Sequence, residues 1–424
     1  MKKVYYQLKM NQVSPLRIGN GENDATDNDL MCDSRGIPFI PGSSIAGVVR
    51  EKYEKLIGKD SNQLFGMIKG SDISESRILV SDATGSEGAV LTDYTITIRD
   101  GVGLDQWGVA IPGHKYDFQV VETKNPYFCV LEWSGDENEY LTEIEQGMDL
   151  LVKHLVKDGI QFGARTTRGY GKMQVEARRK QFDFPDDVEQ WLTFDPFVEE
   201  AFLGEKEVAA EEIENNGKFI TIQAAVKVKG SFSVRVSMER IEKAPDSVAL
   251  KNHDEKPVIP GTSWAGVFRH HMQEILGHIL NESKGENSEE TSLDLLFGKN
   301  EAGHVRSGIY FGETVIEGGN PYHHTRNAVD RFTQAPKNTA LFTDEFWQGG
   351  QGTLEIMIEK DKISKLQKQL LEVSLLDLDL GILTFGGAVG TGHGRVEISN
   401  LTVDGVDVTD KLKERTIGFL EEVL

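Results

Sequence analysis

The sequence has few cysteines and no long apolar run. Its two cysteines, Cys32 and Cys129, are too few for a disulfide framework or a cysteine-based zinc site, and they fit a reducing compartment. No run of eighteen apolar residues occurs, and the N-terminal stretch MKKVYYQLKM lacks the apolar region of a signal peptide. We therefore expect a cytoplasmic protein with no membrane partner.

A surplus of basic residues is also missing. The chain has 46 Lys and Arg against 68 Asp and Glu, a formal net charge of −22, whereas proteins that hold nucleic acid by its phosphates are usually basic. The net charge alone argues against nucleic acid. Three runs, Asp136–Glu139, Gly204–Asn216 and Glu282–Glu290, hold much of the acid, however, and such runs are typical of solvated loops. Basic residues gather elsewhere, between Arg165 and Lys180.

What the sequence does contain is an internal repeat. Pro41-Gly42-Ser43 matches Pro260-Gly261-Thr262 at an offset of 219 positions, and the same offset relates Arg50 to Arg269 and Asp27 to Asp246. A repeat of this length indicates two copies of one domain. We predict a first domain at residues 1–203, an acidic linker at 204–217 and a second domain at 218–424.

Each half repeats the same order of predicted elements. A strand pattern (residues 4–12 and 221–234) is followed by a helix after the Pro-Gly pair, with Ser43 or Ser44, and Thr262 or Ser263, as expected N-caps. Polar segments at 92–114 and 323–338 indicate exposed hairpins, and second helices are predicted at 140–156 and 364–380. Strand, helix, strands, helix and strand is the order of a ferredoxin-like domain, so the fold class is α+β.

A glycine-rich turn closes each half, at residues 162–175 and 385–398. Glycines permit close approach of backbone N–H groups to a phosphate, and neighbouring cations supply charge. A tight turn without a ligand is the alternative interpretation. The candidate phosphate contacts in these turns are Gly163, Arg165, Arg168, Gly169, Lys172, Gly392, His393 and Arg395.

These motifs together resemble the RAMP (repeat-associated mysterious protein) superfamily. The matching segments are Leu16–Gly21, the Asp-containing loops, the two Ile-Pro-Gly helix starts, Leu64–Gly66 with Leu296–Gly298, Asn327–Thr333 and the glycine turns. Within that superfamily, two domains in tandem resemble the fused double backbone subunit of type III-D-like CRISPR effector complexes. The resemblance implies two modified ferredoxin-like (RRM-like) domains, each with a thumb hairpin.

The resemblance also implies a function. Such subunits bind CRISPR RNA, target single-stranded RNA and other effector subunits, and each thumb displaces one base pair at about six-nucleotide spacing. An Asp before the Ile-Pro-Gly motif cleaves the target, with Mg²⁺ or another divalent ion at the cut. The matching positions are Asp27 and Asp246, where Asp24, Asp29 and Asp33, and Asp254, could share the ion.

Further RNA contacts are expected on the matching motifs. They are Ser43, Ser44, Arg50, Thr262, Ser263, Arg269, Asn327 and Arg331. His323 and His324 are added as possible RNA contacts, whereas His270 and His271 follow a core helix and are interpreted as structural or surface residues.

Three alternatives stay open at this point. Asp27 and Asp246 could be turn residues, favoured by local hydrogen bonds of their side chains. The chain would then be a non-catalytic scaffold that shapes the path of the guide. A third alternative is a precursor CRISPR RNA processing nuclease, in which a histidine supplies metal-independent acid–base catalysis.

Overall fold

A computed structural model describes most of the chain, in two compact units. The described residues are 1–20, 29–58, 61–69, 72–86, 88–105, 110–122, 126–135, 139–210, 218–237, 245–283, 293–299 and 305–423. The first unit comprises Met1–Arg99, Asp117–Thr166 and Tyr170–Glu214, and the second Asp100–Tyr116, Thr167–Gly169 and Asn215–Leu424. Among the described helices, none is long and apolar enough to cross a membrane.

The first half of the chain forms a mainly antiparallel sheet with helices. Its strands are β1 (Lys2–Gln12), β2 (Met67–Lys69), β3 (Asp72–Ser74), β4 (Ile78–Val80), β5 (Ile96–Leu104), β6 (Ala110–Val121), β7 (Pro126–Gly135), β8 (Ile160–Gln161), β9 (Lys172–Asp183) and β10 (Lys206–Glu207). Its helices are α1 (Gly42–Ile57), α2 (Asn62–Phe65), α3 (Glu139–Asp158) and α4 (Val188–Leu192).

Strand order in this sheet is β10-β9-β1-β7-β4, with β8 paired to β9. The four strands β9-β1-β7-β4 have the order of a ferredoxin-like sheet, in which the first strand lies in the centre between the last and the third. An apolar stripe along α1 supplies Ile45, Val49 and Tyr53 to the core beneath the sheet. Burial of that stripe is what holds the helix to the sheet.

The second half of the chain repeats this plan. Its strands are β11 (Phe219–Lys229), β12 (Ser231–Phe232), β13 (Arg235–Ser237), β14 (Ser247–Ala249), β15 (Val258–Ile259), β16 (Ile309–Phe311), β17 (Thr314–Val315), β18 (Asn320–Val329), β19 (Pro336–Gln348), β20 (Gln351–Glu359), β21 (Arg395–Val403) and β22 (Val406–Asp407). Its helices are α5 (Gly261–Ser283), α6 (Asp294–Phe297), α7 (Lys365–Asp379) and α8 (Thr409–Val423).

Two sheets matter for the site in this half. The first, β16-β20-β11-β21-β22, again has the ferredoxin-like order. The second has the order β12-β19-β14-β13, with β18 paired to β19 in a long hairpin. The tandem ferredoxin-like fold predicted from the sequence is thus confirmed, and the segments expected to form hairpins are β5–β6 and β18–β19.

The predicted N-caps of the first helices are wrong. Helix α1 begins at Gly42 with Pro41 as its N-cap residue, so Ser43 and Ser44 lie inside its first turn. The N–H of Gly42 instead donates to the carboxylate of Asp82, at 2.7 Å. Helix α5 likewise begins at Gly261, ahead of Thr262 and Ser263. A distant acidic side chain has taken over a capping role that local sequence assigns to serine.

Each glycine-rich turn brings two backbone segments into unusually close contact. The N–H of Phe162 donates to the carbonyl of Gly171, and the N–H of Phe385 to that of Gly394, both at 3.0 Å. Gly171 and Gly394 have φ of 74° and 81°. A Cβ atom at either residue would lie 1.8 or 1.9 Å from the carbonyl oxygen of Phe162 or Phe385. Only glycine fits these two positions.

This geometry predicts a strong effect of one methyl group. Gly394→Ala is expected to destabilise the second unit by about 3 kcal/mol or more, because it adds both a backbone clash and a left-handed φ. Gly390→Ala is the matched control in the same turn, since a Cβ there meets no atom within 4 Å. Urea unfolding of both variants is the measurement, and equal midpoints would contradict the role of the close approach.

Candidate nucleic-acid interface

The glycine turns use several of their N–H groups within their own unit. The N–H of Gly171 donates to the carbonyl of Pro15 at 2.7 Å, and that of Gly394 to the carbonyl of Ser231 at 2.9 Å. Ala164 and Gly387 donate in the same way to the chain just after the first strand of each unit. These four N–H groups are therefore not available to a phosphate. Side chains beside the turns carry the features that fit RNA.

In the first unit, two arginines lie over one ring of an aromatic pair beside the glycine turn. The ring of Phe118, on β6, lies 6.3 Å from that of Tyr170. The guanidinium groups of Arg17 and Arg165 lie over Phe118, at 4.5 and 4.4 Å from its ring centre. Cation–π contacts of this kind hold arginines at a defined place on the face of a ring. Phe118 is buried and both arginines are half-buried.

A buried ion pair contacts the tyrosine of this aromatic pair. Arg99, only 2% exposed, donates to the carboxylate of Glu122 at 2.8 Å and to the Tyr170 hydroxyl at 3.2 Å. Thr97 also donates to Glu122, at 3.0 Å. Thr97–Asp100 is the nearest match in this half to residues 327–331 of the β18–β19 hairpin. Its arginine, Arg99, is a structural residue that holds Tyr170 in place.

In the second unit the same place is occupied by histidine. Gly163 and Gly386 are 223 positions apart, as are Gly171 and Gly394, and the same spacing relates Tyr170 to His393. The His393 ring stacks on Phe346 of β19, with ring centres 4.3 Å apart. Nδ1 of His393 shares a hydrogen bond of 2.7 Å with the Ser231 hydroxyl.

Three more side chains surround Phe346, which is fully buried. Tyr322 stacks on it at 5.7 Å, His324 lies at 6.1 Å, and the Arg235 guanidinium lies 5.9 Å from the ring centre. Together with His393, these residues form what we call the second-unit platform. Its members come from β18, β13 and the glycine turn, and Phe346 supports them from below.

A buried carboxylate orients the arginines of this platform. Asp344, 5% exposed, accepts hydrogen bonds from Arg326 and, at 2.7 Å, from the Ser247 hydroxyl, and it lies 3.5 Å from Arg235. Burial opposes ionisation, but the Ser247 hydrogen bond and the charges of Arg235 and Arg326 outweigh it and hold the pKa of Asp344 below its ordinary value. Burial, together with His324, Arg326 and Arg235, lowers the pKa of His393.

Of the two candidate catalytic aspartates, the structure describes only Asp246. Asp27 lies outside the described residues. Asp246 is exposed and directly precedes β14. Its N–H donates to the carbonyl of Thr343 at 2.7 Å, and its carboxylate accepts the N–H of Thr343 at 2.8 Å. One carboxylate oxygen therefore has a structural partner on β19.

A divalent ion could be held at Asp246 by one carboxylate. Mg²⁺ is commonly bound by one or two carboxylates, with water and phosphate oxygens completing its shell, and an exposed loop carboxylate fits that donor set. Among the described residues, no group of three or more acidic, His or Cys side chains converges as a preformed metal site. Asp33, one of the proposed neighbours, accepts from the N–H of Arg35 and of Ile37 in a local turn.

Arg50 and Arg269 have equivalent structural contacts. Arg50 donates to the carbonyl of Gly66 at 3.1 Å, and Arg269 to the carbonyl of Gly298 at 3.4 Å. Each also contacts the first residue of the short helix before that glycine, Asn62 or Asp294. The repeated arginine thus fastens the Leu-Phe-Gly segment to the first long helix in both halves.

The remaining predicted contacts are dispersed. Asn327 and Arg331 are exposed along and at the end of the β18–β19 hairpin, and Gly392 and Arg395 are exposed in and after the glycine turn. Lys172 is half-buried at the start of β9. Arg168 and Gly169 belong to the second unit, where Arg168 donates to the carbonyls of Phe297 and Ile309 at 3.3 and 3.4 Å.

The basic stretch on β9 is neutralised within the first unit. Arg179 pairs with Glu145 at 2.6 Å and with Asp149 at 3.1 Å. Lys180 pairs with Glu205 at 2.5 Å, and Arg178 with Glu207 at 3.7 Å. The run of basic residues in the sequence therefore does not indicate a phosphate-binding surface, because its side chains are ion-paired. Sequence patterns also did not indicate the residues that gather beside the two glycine turns, which are Arg17, Phe118, Tyr170, Arg235, Arg326, Phe346 and Asp344.

Two tandem ferredoxin-like domains, with two arginines on a buried phenylalanine in the first and one in the second, suit a class of protein that binds nucleic acid. The sequence profile of the RAMP superfamily matches residues 9–174 and 217–397. The chain therefore belongs to the RAMP superfamily and is a CRISPR-associated RNA-binding protein. A comparison with curated proteins finds no significant match.

The buried pair in the first unit gives a stability prediction. Glu122→Gln is expected to destabilise the unit by about 3–5 kcal/mol, because the buried Arg99 loses its counter-ion. Glu176→Gln is the control, since the pair of Glu176 with Lys9 is exposed and such pairs contribute about 1 kcal/mol or less. Thermal unfolding monitored by circular dichroism compares them, and similar shifts for both variants would refute the role of burial.

Proposed function

We propose that the chain is a CRISPR RNA-binding backbone subunit of a type III effector complex, and that it cleaves complementary target RNA at two points about six nucleotides apart. The observation that carries this proposal is the repetition of the binding geometry. A buried phenylalanine beside the glycine turn carries two arginines in the first unit and one, Arg235, in the second. Two equivalent sites in one chain suit a subunit that binds successive segments of one guide.

Asp246 is the described residue best placed to act on RNA in the second unit. Its neighbour Ser247 is hydrogen-bonded to Asp344, which in turn binds Arg326. The exposed carboxylate of Asp246 is therefore next in sequence to a residue that is hydrogen-bonded to the cluster that would hold phosphate. Asp27 occupies the same position in the sequence repeat and is proposed for the same role in the first unit.

RNA carries its own nucleophile, the 2′-OH beside each phosphate. In the proposed reaction this oxygen attacks the adjacent phosphorus, the 5′-oxygen of the next nucleotide leaves and takes up a proton from water, and a 2′,3′-cyclic phosphate remains. The aspartate accepts the 2′-OH proton or positions the group that does so. A divalent ion bound there would offset the charge that develops on the phosphate.

A non-catalytic scaffold is the second candidate, and one contact favours it. The hydrogen bond between Asp246 and the N–H of Thr343 gives this carboxylate a role in fastening β14 to β19. In that case the loop shapes the path of the guide, and another subunit cuts the target.

Substitutions at the two aspartates separate these candidates. In the reconstituted complex with Mg²⁺, Asp246→Asn is expected to reduce one cut of end-labelled target RNA by at least about 100-fold, since the catalytic carboxylate is lost. Its amide oxygen can still accept the N–H of Thr343, so the fold is retained. Asp27→Ala is expected to remove the other cut.

The control is Thr343→Val, which keeps the N–H that Asp246 accepts and leaves the carboxylate in place, so both cuts are expected to persist. Guide binding is measured for every variant, so that a lost cut is not confused with a lost complex. If the double variant Asp27→Ala/Asp246→Asn still produces both cuts, the chain is a scaffold and the chemistry belongs to a partner.

A further inference from the structure

We propose that Arg235 and Arg326, closed by His324 and His393, form a phosphate-binding site in the second unit, and that RNA binding there takes up a proton, unlike binding at the equivalent place in the first unit. The ligand is a phosphodiester of single-stranded RNA. The inference rests on the RNA-binding part of the proposed function and is independent of cleavage.

The two arginines are positioned for an anion. Asp344 binds both from below, and it is buried while Arg326 and Arg235 keep 34% and 35% of their side chains exposed. One carboxylate cannot neutralise two guanidinium groups, so a net positive charge remains. Guanidinium groups present several donors in a fixed plane, which allows one edge to bind Asp344 while another binds phosphate.

The imidazoles lie on the same face of the hairpin as Arg326. Side chains alternate along a strand, so Tyr322, His324 and Arg326 of β18 share one face. Their partners across the hairpin are Phe346, Asp344 and Phe342. His323 and Glu345 pair on the opposite face, and neither belongs to the site.

The hydrogen bonds at His393 suit either protonation state. Ser231 shares one bond with Nδ1 of His393 and another, of 3.0 Å, with the Tyr322 hydroxyl. A hydroxyl can donate in one direction and accept in the other. It can therefore donate to a neutral imidazole, or accept from an imidazolium and donate to Tyr322. The ring keeps its place on Phe346 when it gains a proton.

The sign of the linkage follows from the groups facing His393. These are Arg235 from β13, His324, Arg326 and Tyr322 from β18, and Asp344 from β19, which stays ionised at neutral pH. Burial and the cations lower the pKa of His393 in the free protein. A phosphate anion counters those cations and favours the imidazolium, so RNA binding takes up protons and affinity rises as the pH falls.

The first unit has no such group at the equivalent place. Tyr170 replaces the histidine, and its hydroxyl is held by Arg99, which is itself paired with Glu122. Proton uptake on binding is therefore expected from the second unit alone.

The test measures binding of an oligouridine by the full-length chain, because uracil carries no charge between about pH 6 and 8. Fluorescence anisotropy at constant low salt is expected to show about threefold to tenfold tighter binding at pH 6 than at pH 8, since up to about one proton is taken up. His393→Tyr, which installs the first-unit residue, is expected to remove most of this change. Arg326→Gln is expected to weaken binding at both pH values.

His270→Gln is the matched control, because His270 lies on α5 beside Glu274 and away from the platform. It is expected to keep the wild-type pH dependence. Equal dependence in wild type and His393→Tyr would overturn the proton-linked site while leaving RNA binding intact. Absence of RNA binding by the wild type at every pH, alone and in the reconstituted complex, would overturn this site and the proposed function together.

Discussion

The close backbone approach at Gly171 and Gly394 is the constraint on which the rest of each site depends. Because no side chain fits between the glycine and the carbonyl of Phe162 or Phe385, the turn has one conformation and one place against the first strand. The turn therefore fixes the position of the residue before the glycine, which is Tyr170 beside β6 or His393 beside β19. Arginines collect there because a buried phenylalanine offers them a ring face.

The same backbone arrangement thus carries a different set of charged side chains in each unit. In the first unit the buried charges form a matched pair, Arg99 with Glu122, and two arginines lie over Phe118. In the second unit one buried carboxylate, Asp344, serves two arginines, and imidazoles complete the cluster. A matched pair is insensitive to pH near neutrality, whereas a cluster of like charges responds to protons. The repeat therefore conserves position while its chemistry diverges.

Sequence reasoning succeeded where the signal was local or periodic. The apolar stripe of α1, the order of strands and the tandem RAMP domains followed from patterns that repeat at fixed spacing. It failed where the partner is remote: Asp82 caps α1 across 40 positions of chain, and Asp344 reaches Ser247 across 97. A charge run suggested a basic surface on β9, but acidic partners from α3 and from residues 205–207 neutralise it. Comparing the two turns residue by residue would have matched Tyr170 with His393.

The net charge of −22 and an RNA-binding function are compatible because they act over different distances. Charges separated by more than about 10 Å are largely screened at physiological salt, so a phosphate seated on Arg235 and Arg326 responds mainly to the charges beside it and little to the net charge of the chain. At longer range the acidic surface still opposes the approach of RNA and lowers the association rate. Binding by the chain alone should therefore be weak, whereas a partner subunit with a basic face would offset the acidic charge. The acidic surface then favours RNA binding within the complex over binding by free subunits.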